Sequence, residues 1–207
     1  MHSNLNKIKN LFSGDKNNIK VIENYMPPEY VNILLRYCKL VNEPRDDEQE
    51  KEYREAYFQR EFAKACEHLM RAEITRMYGL QFDRDRTIDF TDRKEGVLLE
   101  EHVDFIKSQF FDPLEPPIVY QKLDLWSGHM SVLIYLNDNY EGGEIVFPKQ
   151  NLKIKPKSGM LIAFPGNNMY PHLVEPSYGD LRYTISLWTR VSAYGDYING
   201  GYTNRPL

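Results

Sequence analysis

The feature that most limits the fold of this chain is a change of periodicity near Ile88. Before this point, apolar residues recur every three to four positions, which is typical of amphipathic helices. From Ile88 onward, short β-rich segments are separated by turn residues, without helical segments between them. The pattern therefore predicts a helical first part followed by a β-rich second part.

The first part is predicted to contain one short strand and two helices. The strand is Lys20–Ile22, and Pro27–Glu29 starts a helix whose apolar residues recur at helical spacing from Tyr30 to Leu40. A longer helix is predicted from about Asp47 to Tyr78, because Gly79 stands where a C-cap belongs. The apolar stripe of this helix is expected to cover a sheet; it comprises Tyr57, Phe58, Phe62, Ala65, Leu69, Ala72 and Met77.

The second part is predicted to be a series of short strands separated by turns such as Gly142–Gly143 and Pro165–Asn167. The predicted strands are 86–90, 97–105, 118–124, 130–136, 144–147, 151–155, 160–164, 170–175 and 182–190. Their spacing favours a double-sheet jelly roll or a small barrel. We therefore expect one α+β, mainly β, domain with its N-terminal helices packed on one sheet. It comprises residues 1–85 (strand and supporting helices), 86–191 (core) and 192–207 (a loosely held tail).

Composition and charge exclude several classes of protein. With 42% hydrophobic and 27% charged residues, the chain of 207 residues has the composition of a soluble globular protein. We find no signal peptide and no apolar run of about 20 residues, so we expect a cytoplasmic protein with no membrane partner. The net charge of −4 argues against a nucleic-acid partner. Cys38 and Cys66 lack metal-type spacing and are expected to be free thiols.

Two histidines and one aspartate form a candidate metal site. His102 and Asp104 share a parity, so an extended chain places both side chains on one face. His172 lies in a later segment that can come to lie beside the first in a closed β-fold. Two histidines and one carboxylate leave one face of an octahedral metal open, as in non-haem Fe(II) oxygenases. Each motif is weak alone, because a histidine in a strand is more often a hydrogen-bonded, half-buried residue.

Arg182 is the candidate anion-binding residue. In the last predicted strand, Arg182, Thr184, Ser186 and Trp188 alternate with the apolar or aromatic residues Tyr183, Ile185 and Leu187. An arginine inside a β-fold needs an anion, and its planar group suits a carboxylate held by two parallel hydrogen bonds. An ion pair with an internal Asp or Glu is the alternative. His129 is predicted to lie in a turn, has no carboxylate two residues later, and is not expected to bind metal.

The motifs around these residues resemble a known enzyme family. They are 135–137 (Tyr-Leu-Asn), 142–148 (Gly-Gly-Glu-Ile-Val-Phe-Pro), 154–159 (Ile-Lys-Pro-Lys-Ser-Gly), 171–176 (Pro-His-Leu-Val-Glu-Pro) and 182–188 (Arg-Tyr-Thr-Ile-Ser-Leu-Trp). In this order they are similar to those of 2-oxoglutarate- and Fe(II)-dependent dioxygenases, and especially to the prolyl 4-hydroxylase group of collagen-type and oxygen-sensing enzymes. The resemblance covers about residues 88–190, and it implies a double-stranded β-helix core.

The resemblance also implies a reaction and its cofactors. The expected reaction is hydroxylation of a protein or peptide, above all at proline, as in the procollagen-proline 4-dioxygenases. The reaction would use Fe(II), 2-oxoglutarate and O2, with ascorbate as a reductant, and would release succinate and CO2. A dioxygenase acting on a free amino acid or a nucleobase, and a non-catalytic metal-binding jelly roll, stay open as alternatives. The chain retains all the candidate ligands, which favours an enzyme.

Site roles follow from the same resemblance. It implies that Fe(II) is bound by His102, Asp104 and His172, that 2-oxoglutarate is bound by Arg182, Tyr135 and Thr184, and that Trp188 lines the substrate site. One departure concerns a tyrosine that usually stands shortly before the first metal ligand, where this chain has Arg93 or Asp92. The aromatic and proline-rich segment 107–127 is expected either to shape a peptide groove or to pack over the barrel mouth.

Overall fold

The computed structural model of the protein describes residues 2–42, 46–84, 88–104 and 128–192. Within these ranges the helices are α1 (His2–Leu11), α2 (Pro28–Asn42), α3 (Asp47–Glu55) and α4 (Tyr57–Tyr78), with short 3-10 turns at Lys16–Asn18 and Pro148–Gln150. The strands are β1 (Lys20–Ile22), β2 (Phe82–Arg84), β3 (Asp89–Arg93), β4 (Leu99–His102), β5 (His129–Tyr135), β6 (Tyr140–Gly142), β7 (Ile145–Phe147), β8 (Leu152–Ile154), β9 (Leu161–Pro165), β10 (His172–Val174), β11 (Ser177–Gly179) and β12 (Arg182–Val191).

The described strands form antiparallel sheets that pack on each other. One sheet has the order β1-β9-β5-β12-β2, with β3 also paired to β12, and a second has the order β4-β10-β7-β8; β6 pairs with β11. Tyr135 and Ile162 of the first sheet share a buried cluster with Phe147 and Val174 of the second. The predicted jelly-roll core is confirmed, and its interior lies between the two larger sheets.

The N-terminal helices cover the outer face of the larger sheet. Val132 and Ile134 of β5 pair with Leu187 and Ile185 of β12, and all four side chains are fully buried in the cluster that includes the helices. Each such side chain contributes about 1.5–3 kcal/mol through removal from water. Because strand side chains alternate, the intervening residues of β5 and β12 face the other way, into the space between the sheets. The predicted packing of helices on one sheet is confirmed.

The long predicted helix is divided at Ala56, where the backbone (φ −72°, ψ 40°) leaves the helical region. A second helix, α4, begins after this residue. It ends at Gly79, as predicted, and Gly79 has the left-handed conformation. The predicted apolar stripe was wrong in part, because Tyr57 and Phe58 are 67% and 64% exposed and Leu69 is 55% exposed. The helix has more than one apolar side, and the sheet covers the side that carries Ala63, Cys66, Met70 and Ile74.

Several short elements differ from the sequence prediction. The helix α1 was not predicted, although Ile8, Leu11 and Phe12 are buried at helical spacing. Strands β2, β6 and β11 were also missed, and both β6 and β11 end at a glycine, which the sequence analysis treats as a turn residue. His129 begins β5 instead of lying in a turn, because it pairs with Arg190 of β12.

Some predictions lie outside the described residues. These are the predicted strand 118–124, segment 107–127 and all but the first residue of the tail 192–207. Cys38 and Cys66 are both buried, and neither is part of a disulfide. None of the described helices has the length and apolar character that crossing a membrane would require.

Candidate metal centre and anion subsite

The pairing of β4 with β10 places His102 and His172 directly opposite each other. Their ring centroids are 4.3 Å apart. Asp104 follows two residues after the end of β4, and its Oδ1 atom lies 3.5 Å from Nε2 of His102 and 3.7 Å from Nε2 of His172. The structure therefore brings all three predicted metal-site residues together, with one potential ligand atom of each within 4.8 Å of the others.

Backbone carbonyl groups orient both imidazole rings. Nδ1 of His102 lies 2.8 Å from the carbonyl oxygen of Glu100, and Nδ1 of His172 lies 3.3 Å from that of Tyr170. A carbonyl oxygen only accepts, so each Nδ1 carries the hydrogen and donates it. In the neutral ring, the lone pair of each Nε2 is thereby left for a metal ion. The side chain of Glu100 itself is exposed.

The charges of the three groups suit a cation. Burial alone would raise the pKa of Asp104, but the hydrogen bond with His102, the electrostatic interaction with His172 and the hydrogen bond with Ser131 together hold that pKa below its ordinary value. Burial lowers the pKa of His172, which keeps this imidazole neutral. The hydrogen bond with Asp104 raises the pKa of His102. The cluster thus offers an ionised carboxylate and a neutral imidazole at neutral pH.

Side chains from both larger sheets support this cluster. Ser131 of β5 is 1% exposed and donates a hydrogen bond to Oδ2 of Asp104. The rings of Phe147 and Phe164 lie 5.5 and 4.7 Å from the His172 ring, centroid to centroid, and form an apolar wall. Sequence reasoning did not find Ser131. The only signal for it was a small polar residue on an otherwise apolar strand.

Arg182 and Tyr135 form the candidate anion subsite, in the interior between the sheets. Arg182 begins β12, is 5% exposed, and its Nε atom has no hydrogen-bond partner among the described residues. Tyr135 is fully buried, its hydroxyl likewise has no hydrogen-bond partner there, and the Arg182 guanidinium carbon lies 5.8 Å from its ring centroid. Burial raises the pKa of Tyr135, although the charge of Arg182 opposes this increase.

The remaining predicted site residues lie along the same face of β12. Thr184 pairs with Tyr135, and Trp188 pairs with Ser131. Directly opposed residues of antiparallel strands point to the same face, so Thr184 belongs to the arginine end and Trp188 to the aspartate end. Thr184 is buried, whereas Trp188 is half-buried. Trp188 is thus the aromatic side chain of this strand that an incoming molecule can reach.

This arrangement fits a metal ion and a carboxylate. Two imidazole nitrogens and one carboxylate oxygen form a ligand set that leaves coordination positions free, as in non-haem Fe(II) sites. A buried guanidinium without a carboxylate partner is costly unless an anion compensates it. Among the described residues, neither an Asp nor a Glu forms an ion pair with Arg182, so the alternative of an internal ion pair is not realised there.

Comparisons with known proteins give the family. Residues 89–190 match the family model described as the 2OG-Fe(II) oxygenase superfamily. Over 63 residues the chain is 38% identical to prolyl 3-hydroxylase 2 of Homo sapiens, a match that covers 28% of this chain and 9% of that protein. The chain thus matches about a tenth of the length of the curated relatives.

Two solved structures share the fold. A prolyl-4-hydroxylase from Pseudomonas putida superposes with a TM-score of 0.54 at 17% identity, over 91% of each chain. A prolyl hydroxylase from Trichoplax adhaerens, in complex with a peptide fragment of the hypoxia inducible factor oxygen degradation domain, superposes with a TM-score of 0.58. Its identity is 14%, and the match covers 97% of this chain and 94% of that one.

Proposed function

Residues 89–190 form a domain of the 2OG-Fe(II) oxygenase superfamily, and from this premise we propose that the chain is a dioxygenase that hydroxylates a protein or peptide. A prolyl residue is the proposed target. The observation that carries the proposal is the convergence of His102, Asp104 and His172, each with one potential ligand atom within 4.8 Å of the others. Arg182, buried without a carboxylate partner among the described residues, lies in the same interior.

Each residue has a distinct part in this proposal. His102, Asp104 and His172 would hold Fe(II) and leave the opposite coordination positions free. Arg182 and Tyr135 would bind the distal carboxylate of 2-oxoglutarate, because a guanidinium and a hydroxyl can both donate to it. Thr184, Phe147 and Phe164 would line the cavity beside them.

Fe(II) and 2-oxoglutarate, held by these residues, would supply the oxidising chemistry, in which O2 and 2-oxoglutarate would be converted to succinate and CO2 and one oxygen atom would enter a C–H bond of the substrate. The protein orients and protects the reacting groups. The carbonyls that anchor both imidazoles keep their Nε2 atoms directed at the metal position. The aromatic wall behind His172 excludes water, which strengthens the electrostatic interactions inside the site.

The accessible end of the site supports a peptide as the substrate. Trp188 is half-buried at the aspartate end, where a large, rigid aromatic surface can contact a peptide. The two solved structures described above are named as prolyl hydroxylases, and one of them contains a peptide. A net charge of −4 disfavours an oligonucleotide substrate.

Turnover tests the reaction and the substrate class together. The protein, Fe(II), ascorbate and 2-oxoglutarate are incubated with proline-rich peptides, free proline or methylated oligonucleotides, and succinate is measured. Succinate formed only with peptides, together with the addition of one oxygen atom to a prolyl residue, is the expected result. Stimulation only by the oligonucleotides or by free proline would overturn the peptide assignment. Analysis of the modified residue then distinguishes 3- from 4-hydroxyproline.

Metal binding tests the site independently of turnover. His172→Ala should abolish high-affinity binding of Mn(II), which can be measured by calorimetry without oxygen chemistry. The matched control is His68→Ala, because His68 is exposed on α4, outside the cluster. Equal affinities of the two variants for Mn(II) would remove His172 from the proposed ligand set.

A further inference from the structure

Arg93 is a second cation beside the anion subsite. Strands β3 and β12 are antiparallel neighbours, and Arg93 is the residue directly opposite Arg182. Because directly opposed residues of antiparallel strands project from the same face, both guanidinium groups are on the face that carries Thr184 and Tyr135. The subsite thus contains two arginines where sequence reasoning considered one.

Among the described residues, no carboxylate compensates this pair of charges. The Nε atoms of Arg93 and Arg182 are both buried and have no hydrogen-bond partner among the described residues. Within the same residues, no carboxylate forms an ion pair with either side chain. Like charges directly across a strand pair are destabilising, and burial increases the cost. The arrangement is therefore that of a site which requires an anion.

The surroundings of Arg93 place it close to the rest of the site. Burial and then the charge of Arg182 lower the pKa of Arg93. The charge of Arg93 in turn acts on Tyr135 and on His102. Arg93 is thus near both the anion subsite and one of the three clustered metal-site residues.

We propose that Arg93 and Arg182 together bind the distal carboxylate of the co-substrate, so that the site selects a dicarboxylic 2-oxo acid through two guanidinium groups. This inference rests on the proposed function. Arginine groups present several donors in one plane, and a carboxylate has enough lone pairs to accept from two of them. One bound carboxylate would thereby relieve the repulsion between the two strands and satisfy both unpaired Nε atoms.

Ligand binding in the absence of turnover tests the proposal. The Mn(II)-loaded protein is titrated anaerobically with 2-oxoglutarate and with 2-oxopentanoate, which has the same chain length but no distal carboxylate. Arg93→Gln should weaken binding of 2-oxoglutarate about 10- to 100-fold, as expected for loss of a charged hydrogen bond. Its affinity for 2-oxopentanoate should not change. Arg93→Lys, which keeps the charge, should restore part of the affinity for 2-oxoglutarate.

The control is Lys94→Gln, which removes one positive charge from the adjacent, exposed position. This variant should bind both acids as the wild-type protein does, and circular dichroism should show that every variant is folded. If Arg93→Gln weakens binding of both acids equally, Arg93 acts only through a general electrostatic effect, and the proposal is wrong. Unchanged binding of 2-oxoglutarate would overturn it as well. Failure of the wild-type protein to bind 2-oxoglutarate would instead overturn the proposed function.

Discussion

The hydrogen bond from Ser131 to Asp104 should determine how well the site binds metal. Ser131 is 1% exposed and donates to Oδ2, while Oδ1 of the same carboxylate faces the two imidazoles. The serine therefore holds the carboxylate in the rotation that directs Oδ1 at the metal position. It also stabilises the ionised form of Asp104, whose pKa it helps to lower. Ser131→Ala removes both effects and leaves the three proposed ligands in place.

The expected size of the effect follows from the burial and charge of this contact. A hydrogen bond to a charged acceptor contributes about 1.5–3 kcal/mol, and every 1.4 kcal/mol corresponds to about a tenfold change in an equilibrium constant. Asp104 is only 18% exposed, so water does not fully replace the lost donor. We therefore expect the affinity for Mn(II) to fall about 10- to 100-fold, the range typical of groups that orient metal ligands.

Calorimetric titration of the metal-free protein with Mn(II) at neutral pH measures this change. The matched control is Ser177→Ala, because Ser177 is equally buried and its hydroxyl has no hydrogen-bond partner among the described residues. The two variants lose the same atoms from buried serines. If Ser131→Ala is folded and binds Mn(II) as tightly as Ser177→Ala does, the reasoning about carboxylate orientation is wrong.

Three further substitutions test the anion subsite and the fold. Arg182→Ala should raise the KM for 2-oxoglutarate about tenfold or more, with a smaller effect on kcat, and Arg182→Lys should restore part of the loss. Gly159→Ala should destabilise the protein by about 1–3 kcal/mol in urea unfolding, because φ is +77° and a Cβ would lie 2.5 Å from the carbonyl oxygen of Met26. Tyr170→Phe should cost about 1–3 kcal/mol, since the buried hydroxyl donates to the carbonyl of Leu11 and accepts from the amide of Gly14. An unchanged KM for Arg182→Ala, or unchanged urea midpoints for the other two variants, would contradict these assignments.

Much of the fold could be predicted because its signals are local. The alternation along β12 shows which residues share a face, and this pattern survives in the structure: Arg182 and Thr184 face the interior between the sheets, and Ile185 faces the helices. The left-handed Gly79 ends α4 where the sequence indicated. Such features depend on a few neighbouring residues and on the two-residue period of a strand.

Other features had no local signal. Ala56 is a good helix former, yet the chain divides there. Phe58 looks like a core residue and is exposed, because the sheet covers another side of α4. The short strands β6 and β11 pair with each other, although neither has enough residues to show a period. In each case contacts between distant segments decided between local alternatives.

The candidate site likewise combines features with a local signal and features without one. His102, Asp104, His172 and Arg182 were recognised by their residue types, spacing and surrounding motifs. The contact of Ser131 with Asp104 and the opposition of Arg93 to Arg182 depend on strand pairing and register. A sequence determines which side of its own strand a residue occupies, whereas the neighbour across the sheet is decided by how the whole core is buried. Residue chemistry was therefore readable from the chain alone, and only the tertiary structure decided which charges and hydrogen-bonding groups meet.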